Sequence, residues 1–251
     1  MQSAPIIRIE DLTKSYKGSY EPALNGISFD IPEGSVFGLL GPNGAGKTTT
    51  ISILCGLIPK TKGRITINNK SPEKELNEIK KLIGIVPQEI ALYPTLTARE
   101  NLRFIGSMYG LKGRELEERI EECLAMMGLD KKGNRLIRTF SGGMKRRVNL
   151  VAGILHQPKI LFLDEPTVGV DVQSRNLILD HIRSMNKKGT TIIYTSHYLE
   201  EAEQLCDDIA IIDNGMILLE GRLKDLLKSK PEYKDLESIF IHLTGRKLRD
   251  N

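Results

Sequence analysis

One loop constrains this chain more than any other feature: Gly41-Pro42-Asn43-Gly44-Ala45-Gly46-Lys47-Thr48. The apolar run Ser35–Leu40 before it reads as a buried strand stopped by Gly41, and the stretch from Lys47 to Leu57 reads as a helix. A GxxxxGK[ST] loop in that setting turns backbone N–H groups toward phosphate oxygens, because its glycines leave no side chains in the way. The helix N-terminus adds its dipole. Lys47 is then placed to reach the β- and γ-phosphates, and the Thr48 hydroxyl to coordinate Mg²⁺.

The rest of the chain supplies the framework such a loop needs. Ile6–Ile9 and Ile27–Ile31 alternate as strands, and Arg64–Ile67 is a further short one. Thr97–Tyr109 and Leu116–Met127 carry apolar residues on one face each, with Gly110 and Gly128 as their stops, and a third helix begins at Ser141. This helical stretch reads as an insertion, because the α/β pattern then resumes. Ile160–Leu163 is a buried strand, Gln173–Asn186 a helix and Thr190–Thr195 a strand. Asp208–Ile212 and Met216–Leu219 form a hairpin around Asn214-Gly215. Alternating strands and helices predict a mostly parallel sheet. From Arg222 onward the chain is charged, with Leu223, Leu226 and Leu227 on a short helix.

Composition narrows the partners. The formal net charge of +4 is spread along the chain, which argues against nucleic acid. Cys55, Cys123 and Cys206 stand far apart without a CxxC pair, as small buried side chains do in a reducing compartment. No apolar run approaches the roughly 20 residues of a membrane span, and Met1–Glu10 has no secretory core, so the chain is expected to be soluble by itself.

Two more motifs carry chemistry. Ile160-Leu161-Phe162-Leu163-Asp164-Glu165 is an apolar strand ending in two carboxylates; beside a phosphate loop, Asp164 is placed to hold Mg²⁺ and Glu165 to orient or deprotonate a water. Ser141-Gly142-Gly143 reads alone as a helix N-cap, with a second phosphate cradle as the alternative.

The order of the phosphate loop, Val86-Pro87-Gln88, Ser141-Gly142-Gly143, Asp164-Glu165-Pro166 and Ser196-His197 resembles the ABC ATPase family across about residues 5 to 221. The resemblance implies an α/β P-loop NTPase with a RecA-like core, an antiparallel β subdomain and an inserted α-helical subdomain at about 89–157, followed by a charged extension at 222–251. It implies a nucleotide site built from Tyr16 on the adenine, the loop residues from Gly41 through Thr48 together with Thr49, and Ser141, Gly142 and Gly143 closing over a nucleotide held by another copy. Gln88 would sense Mg²⁺ and the attacking water, Asp171 would link two sites across a dimer, and His197 would feel the γ-phosphate.

Glu165, His197 and Gln88 are thus the catalytic candidates, Thr48, Gln88 and Asp164 the metal candidates, and ATP and Mg²⁺ the ligands. Phe140 and Met144 depart from the Leu and Gln that many members carry at the ends of the signature. Lys145-Arg146-Arg147 and Leu92–Thr97 resemble ATPase subunits of drug, antibiotic, lipid or polysaccharide exporters. The implied partners are a second ATPase domain, head to tail as a homodimer, and separate transmembrane permease subunits. The implied location is the cytoplasmic face of a membrane, and Glu89–Leu96, with Tyr93, would be the docking groove. A soluble ABC-type ATPase without a membrane partner is the rival reading.

Overall fold

The computed structural model describes residues 5–245. The first two strands, β1 (Pro5–Lys14) and β2 (Leu24–Pro32), pair antiparallel. The third, β3 (Val36–Leu40), is buried along its whole length and leads into the glycine loop and helix α1 (Lys47–Leu54). Sequence periodicity carries this helix to Leu57, but it ends at Leu54: Cys55 caps it and Gly56 turns left-handed at φ +67°. Strand β4 (Lys62–Ile67) joins the other side of β1, giving a three-stranded antiparallel sheet in the order β2-β1-β4.

Helix α2 (Pro72–Leu82) and strand β5 (Ile83–Val86) follow, then the helical block of α3 (Ala98–Met108), α4 (Gly113–Met126) and α5 (Gly142–Ile154). Reciprocal capping by Thr97 and Glu100 starts α3, and the Ser141 side chain caps α5. The chain returns through β6 (Ile160–Asp164), α6 (Val172–Lys187), β7 (Thr191–Ser196), α7 (Leu199–Leu205), β8 (Asp208–Asp213) and β9 (Met216–Arg222). Asn214 and Gly215, both with positive φ, make the expected tight turn between β8 and β9. The larger sheet runs β5-β6-β7-β3-β8-β9, parallel except for β9.

Successive side chains of this sheet face opposite sides, and each side has its own core. Phe37, Leu39, Ile160, Phe162 and Ile193 pack with α1 and the antiparallel sheet. Val36, Leu40, Leu161, Leu163, Ile192 and Tyr194 pack with the helical block, α6 and α7. Each fully buried aliphatic side chain stabilises the fold by about 1.5–3 kcal/mol.

The charged tail differs from a solvated extension. After α8 (Leu223–Lys228) comes α9 (Leu236–Thr244), whose Leu236, Ile239 and Phe240 are buried in the same core as α7. Residues 246–251 of the extension, like residues 1–4, lie outside the described part. Among the described residues no helix is long and apolar enough to cross a membrane, and the three cysteines are buried thiols.

Candidate functional site

Parallel strands end together, so side chains far apart in sequence meet above their carboxyl edge. The glycine loop rises from β3. Gly46 has φ +114°, and a Cβ there would stand 2.6 Å from Leu24 Cδ2, so only glycine closes this turn onto α1. Lys47 is buried and its Nζ folds back over the loop, donating to the carbonyls of Gly41 (2.8 Å) and Pro42 (3.1 Å). Asn43 and Gly44 at the loop's tip are exposed, as is Thr48 at its base.

Strand β6 lies two places from β3, with β7 between them. Its last residue, Asp164, accepts from the Thr48 hydroxyl (2.9 Å) on one oxygen and from the Thr195 hydroxyl (2.6 Å) on the other. Thr48 and Asp164 thus offer two hard oxygens side by side. Among the described residues no group of three His, Cys, Asp or Glu side chains could hold a metal by itself. That donor set fits Mg²⁺, which takes one or two protein oxygens and fills its remaining positions with phosphate and water.

Glu165 follows in the left-handed region at φ +47°, a conformation that costs a non-glycine residue roughly 1–2 kcal/mol. Its amide is held by Thr195, through the carbonyl (3.2 Å) and the hydroxyl (3.1 Å). Its buried carboxylate gathers three expected site residues. Oε1 is 3.4 Å from Lys47 Nζ, while Oε2 accepts from Gln88 Nε2 (3.2 Å) and lies 3.1 Å from His197 Nδ1.

A second group forms at the start of α5. The Ser141 hydroxyl accepts from the Met144 amide (3.3 Å), which leaves Ser141 and Gly142 exposed. Gly143 packs on the N-terminus of α6, where Asp171 accepts from the Ser174 amide (2.8 Å) and hydroxyl (2.9 Å). Those two donors hold Asp171 below the usual carboxylate range, so it stays ionised as a cap. Met144 is buried, so the departure from Gln at this position puts an apolar side chain under the turn rather than beside a ligand.

Tyr16 belongs to neither group. It is half exposed beyond β1, with Lys14 Nζ 4.9 Å from its ring centroid. Thr49 is half-buried on α1.

Sequence reading missed three supports. Arg146, seen only as part of a basic run, is buried and donates to the carbonyls of Pro87, Gln88 and Val168, pinning the Gln88 strand end to the segment after Glu165. Asn149 donates to Pro87 and accepts from the Ala91 amide. Thr195 serves both Asp164 and Glu165. Its place just before Ser196-His197 was the available signal.

A glycine loop from one parallel strand, with paired carboxylates at the end of a strand two places away, defines a P-loop nucleoside triphosphatase. The description "ABC transporter" belongs to the family model that matches residues 24–168, and this chain belongs to that family. It is an ATPase. It is 52% identical over 221 residues to the linearmycin resistance ATP-binding protein LnrL of Bacillus subtilis, covering 88% of this chain and 70% of the relative. It is 37% identical over 225 residues to the Nod factor export ATP-binding protein I of Ralstonia nicotianae, covering 90% and 70%. To the daunorubicin/doxorubicin resistance ATP-binding protein DrrA of Streptomyces peucetius it is 38% identical over 228 residues, covering 91% and 68%.

Among solved structures, an ATP-binding subunit of an ABC transporter superposes with TM-score 0.86 at 30% identity, covering 95% of this chain and 99% of that one. A dimeric ATP-binding cassette in a post-hydrolysis state with ADP and Pi gives TM-score 0.80 at 29% identity, covering 86% and 98%.

Proposed function

We propose that this chain is the ATP-hydrolysing subunit of an exporter, working as a head-to-tail dimer beneath separate membrane subunits. The observation that carries the catalytic part is the gathering of Lys47, Gln88 and His197 around one strained, buried carboxylate, Glu165. In this reading the amides of the Gly41–Thr49 loop and Lys47 hold the phosphates of ATP, and Tyr16 offers its exposed ring to the adenine. Thr48, Asp164 and Gln88 would hold Mg²⁺. The ion, when bound, neutralises charge on the phosphates. Glu165 takes the proton of the attacking water, and His197 fixes that carboxylate and faces the γ-phosphate.

The exposed Ser141-Gly142 turn and Asp171 belong, in this reading, to the nucleotide of the second copy. Two chains placed head to tail then complete two sites; the dimeric form of a solved neighbour supports pairing of two copies. The names of the relatives, for antibiotic or drug resistance and for Nod factor export, support export as the direction of transport.

Geometry also supports a docking surface. Asn101 holds the backbone of the Tyr93 segment by accepting from the Tyr93 amide (2.7 Å) and donating to the Tyr93 (3.1 Å) and Thr97 (2.9 Å) carbonyls. Leu92 is buried, whereas Tyr93 points outward against Phe104, ring centroids 5.5 Å apart. An exposed aromatic pair on a rigid backbone, five residues past Gln88, suits a helix from a membrane subunit.

The test is Glu165→Gln. Phosphate release should fall by about 10²–10⁴-fold, the usual worth of a general base, while a nucleotide titration still shows ATP binding. A variant that keeps more than about a tenth of the parent rate removes Glu165 from this role.

A further inference from the structure

Four residues past His197, on α7, Glu201 is a buried carboxylate to which the reading above gives no task. Its oxygens take partners from three places. Oε2 accepts from the Tyr194 hydroxyl (2.5 Å) on β7 and the Thr167 hydroxyl (2.6 Å), while Oε1 lies 3.1 Å from Arg175 Nε on α6. Burial and the adjoining Glu201 charge push the Tyr194 phenol well above its ordinary value, so it remains a donor.

These partners flank the site on both sides. Thr167 stands two residues past Glu165, and the Val168 amide donates back to the Glu165 carbonyl (3.3 Å). The Arg175 amide donates to the Asp171 carbonyl (2.9 Å). Glu201 therefore grips the segment from Glu165 to Asp171 near both its ends. In the other direction, the Arg175 guanidinium lies over the Tyr198 ring at 5.4 Å, and that ring rests on His197 at 4.1 Å between centroids. A charge kept inside a core needs all its partners in place, so this set has one arrangement rather than many.

We propose that Glu201 is a positioning residue for ATP hydrolysis: it locks the Glu165–Asp171 segment and the His197–Tyr198 pair into one unit, so that a displacement at either is transmitted to the other. The inference rests on the roles given above to Glu165, His197 and Asp171.

The test compares Glu201→Gln, Arg175→Gln and the double variant in the full chain, with Glu165→Gln as control. Glutamine keeps the shape and an acceptor oxygen but removes the charge that faces Arg175. Each single variant should lower kcat by about tenfold or more, since misplacing reacting groups by an ångström costs up to about 10²-fold. KM for ATP and the nucleotide affinity should stay within about twofold of the parent, because the phosphate loop is untouched. The double variant should be no slower than the slower single, as expected of residues acting as one unit.

A merely structural pair would lower thermal stability and leave kcat of the folded fraction intact; that result overturns the proposal. So does a double variant whose loss is the product of the two single losses. If Glu201→Gln does not fold, the partly exposed Arg175→Gln carries the kcat comparison by itself. An active Glu165→Gln control would refute the catalytic reading of the site. An inactive control beside a fully active Glu201→Gln refutes this inference alone.

Discussion

Gly143→Ala probes how closely the Ser141 turn must lie on Asp171. Gly143 is the second residue of α5, and alanine there gains up to about 1 kcal/mol of helix propensity. The new Cβ would meet Ser174 Oγ at 2.5 Å, Asp171 Oδ2 at 3.0 Å and Ser174 Cβ at 3.1 Å. Ser174 can swing its hydroxyl away, forfeiting its bond to Asp171 at a net cost of about 0.5–1.5 kcal/mol. The remaining overlap obliges α5 and α6 to separate slightly, an overpacking cost of about 1–3 kcal/mol.

After the helix gain, the net loss is on the order of 1–3 kcal/mol, or roughly 2–10 °C in the thermal midpoint of a chain this size. In the proposed dimer, phosphate release should fall about 10–100-fold, because the turn and Asp171 would no longer meet the second copy in register. Nucleotide affinity of the isolated chain should hold within about twofold, since Gly143 touches no part of the Gly41–Thr48 loop. Calorimetry, a phosphate-release assay and a nucleotide titration read the three quantities. Undiminished turnover with the midpoint lowered as expected would refute the claim that this contact sets the composite site.

Two other perturbations separate surfaces from chemistry. Tyr93→Ala forfeits an edge contact with Phe104 worth about 0.5–1.5 kcal/mol, so the midpoint should move only a few degrees and turnover by the isolated chain should persist. Capture of the proposed membrane subunits in a pull-down should weaken about tenfold or more, the usual worth of an aromatic anchor, and normal capture by a destabilised protein would make Tyr93 a packing residue instead. Asp208 lies in a cleft with Arg222, Asp207 and Asp225, where burial raises its carboxyl above its ordinary 3.8, the Arg222 charge opposing the shift and the Asp207 and Asp225 charges adding to it. The folded state then binds the proton more readily than the unfolded one, so stability falls as pH rises from about 3.8 through the raised value and the whole cost is present at neutral pH. Asp208→Asn should therefore raise the thermal midpoint at pH 7 and bring no gain below the ordinary carboxylate range; an equal gain at both pH values would show the effect is not titration.

What the sequence discloses is what is local. The Gly41–Thr48 loop, the Ser141 cap, the Asn214-Gly215 turn and the apolar strand before Asp164 each announce themselves within ten residues, and each stands where its pattern puts it. The helices missed are those whose patterns are weak over a short window. The charged Pro72–Leu82 stretch buries only Ile79, and α7 spans just seven residues. In α9, the charged flanks hide an apolar face that packs on α7. The convergence on Glu165 was equally hidden. Gln88 and His197 come to one oxygen from 77 residues before it and 32 after, a meeting that strand order decides and spacing does not. Arg146 shows the opposite error, since a cation in a basic run is ordinarily solvated, and this one is buried and donates to three backbone carbonyls.

Strand β3 has a consequence for how the molecule is made. Both its neighbours, β7 and β8, lie far downstream, at Thr191–Ser196 and Asp208–Asp213. Synthesis proceeds from the N-terminus, and long-range pairings close slowly. The antiparallel sheet of β1, β2 and β4 can close once Ile67 has emerged, but a chain halted before Thr191 has no partner for Val36–Leu40 on either side. The nascent protein thus carries a bare apolar strand until Thr191 has emerged, a natural client for holding chaperones and a template for aggregation. The loop that is easiest to find in the sequence therefore rises from a strand that gains its sheet partners only once β7 and β8 have been made.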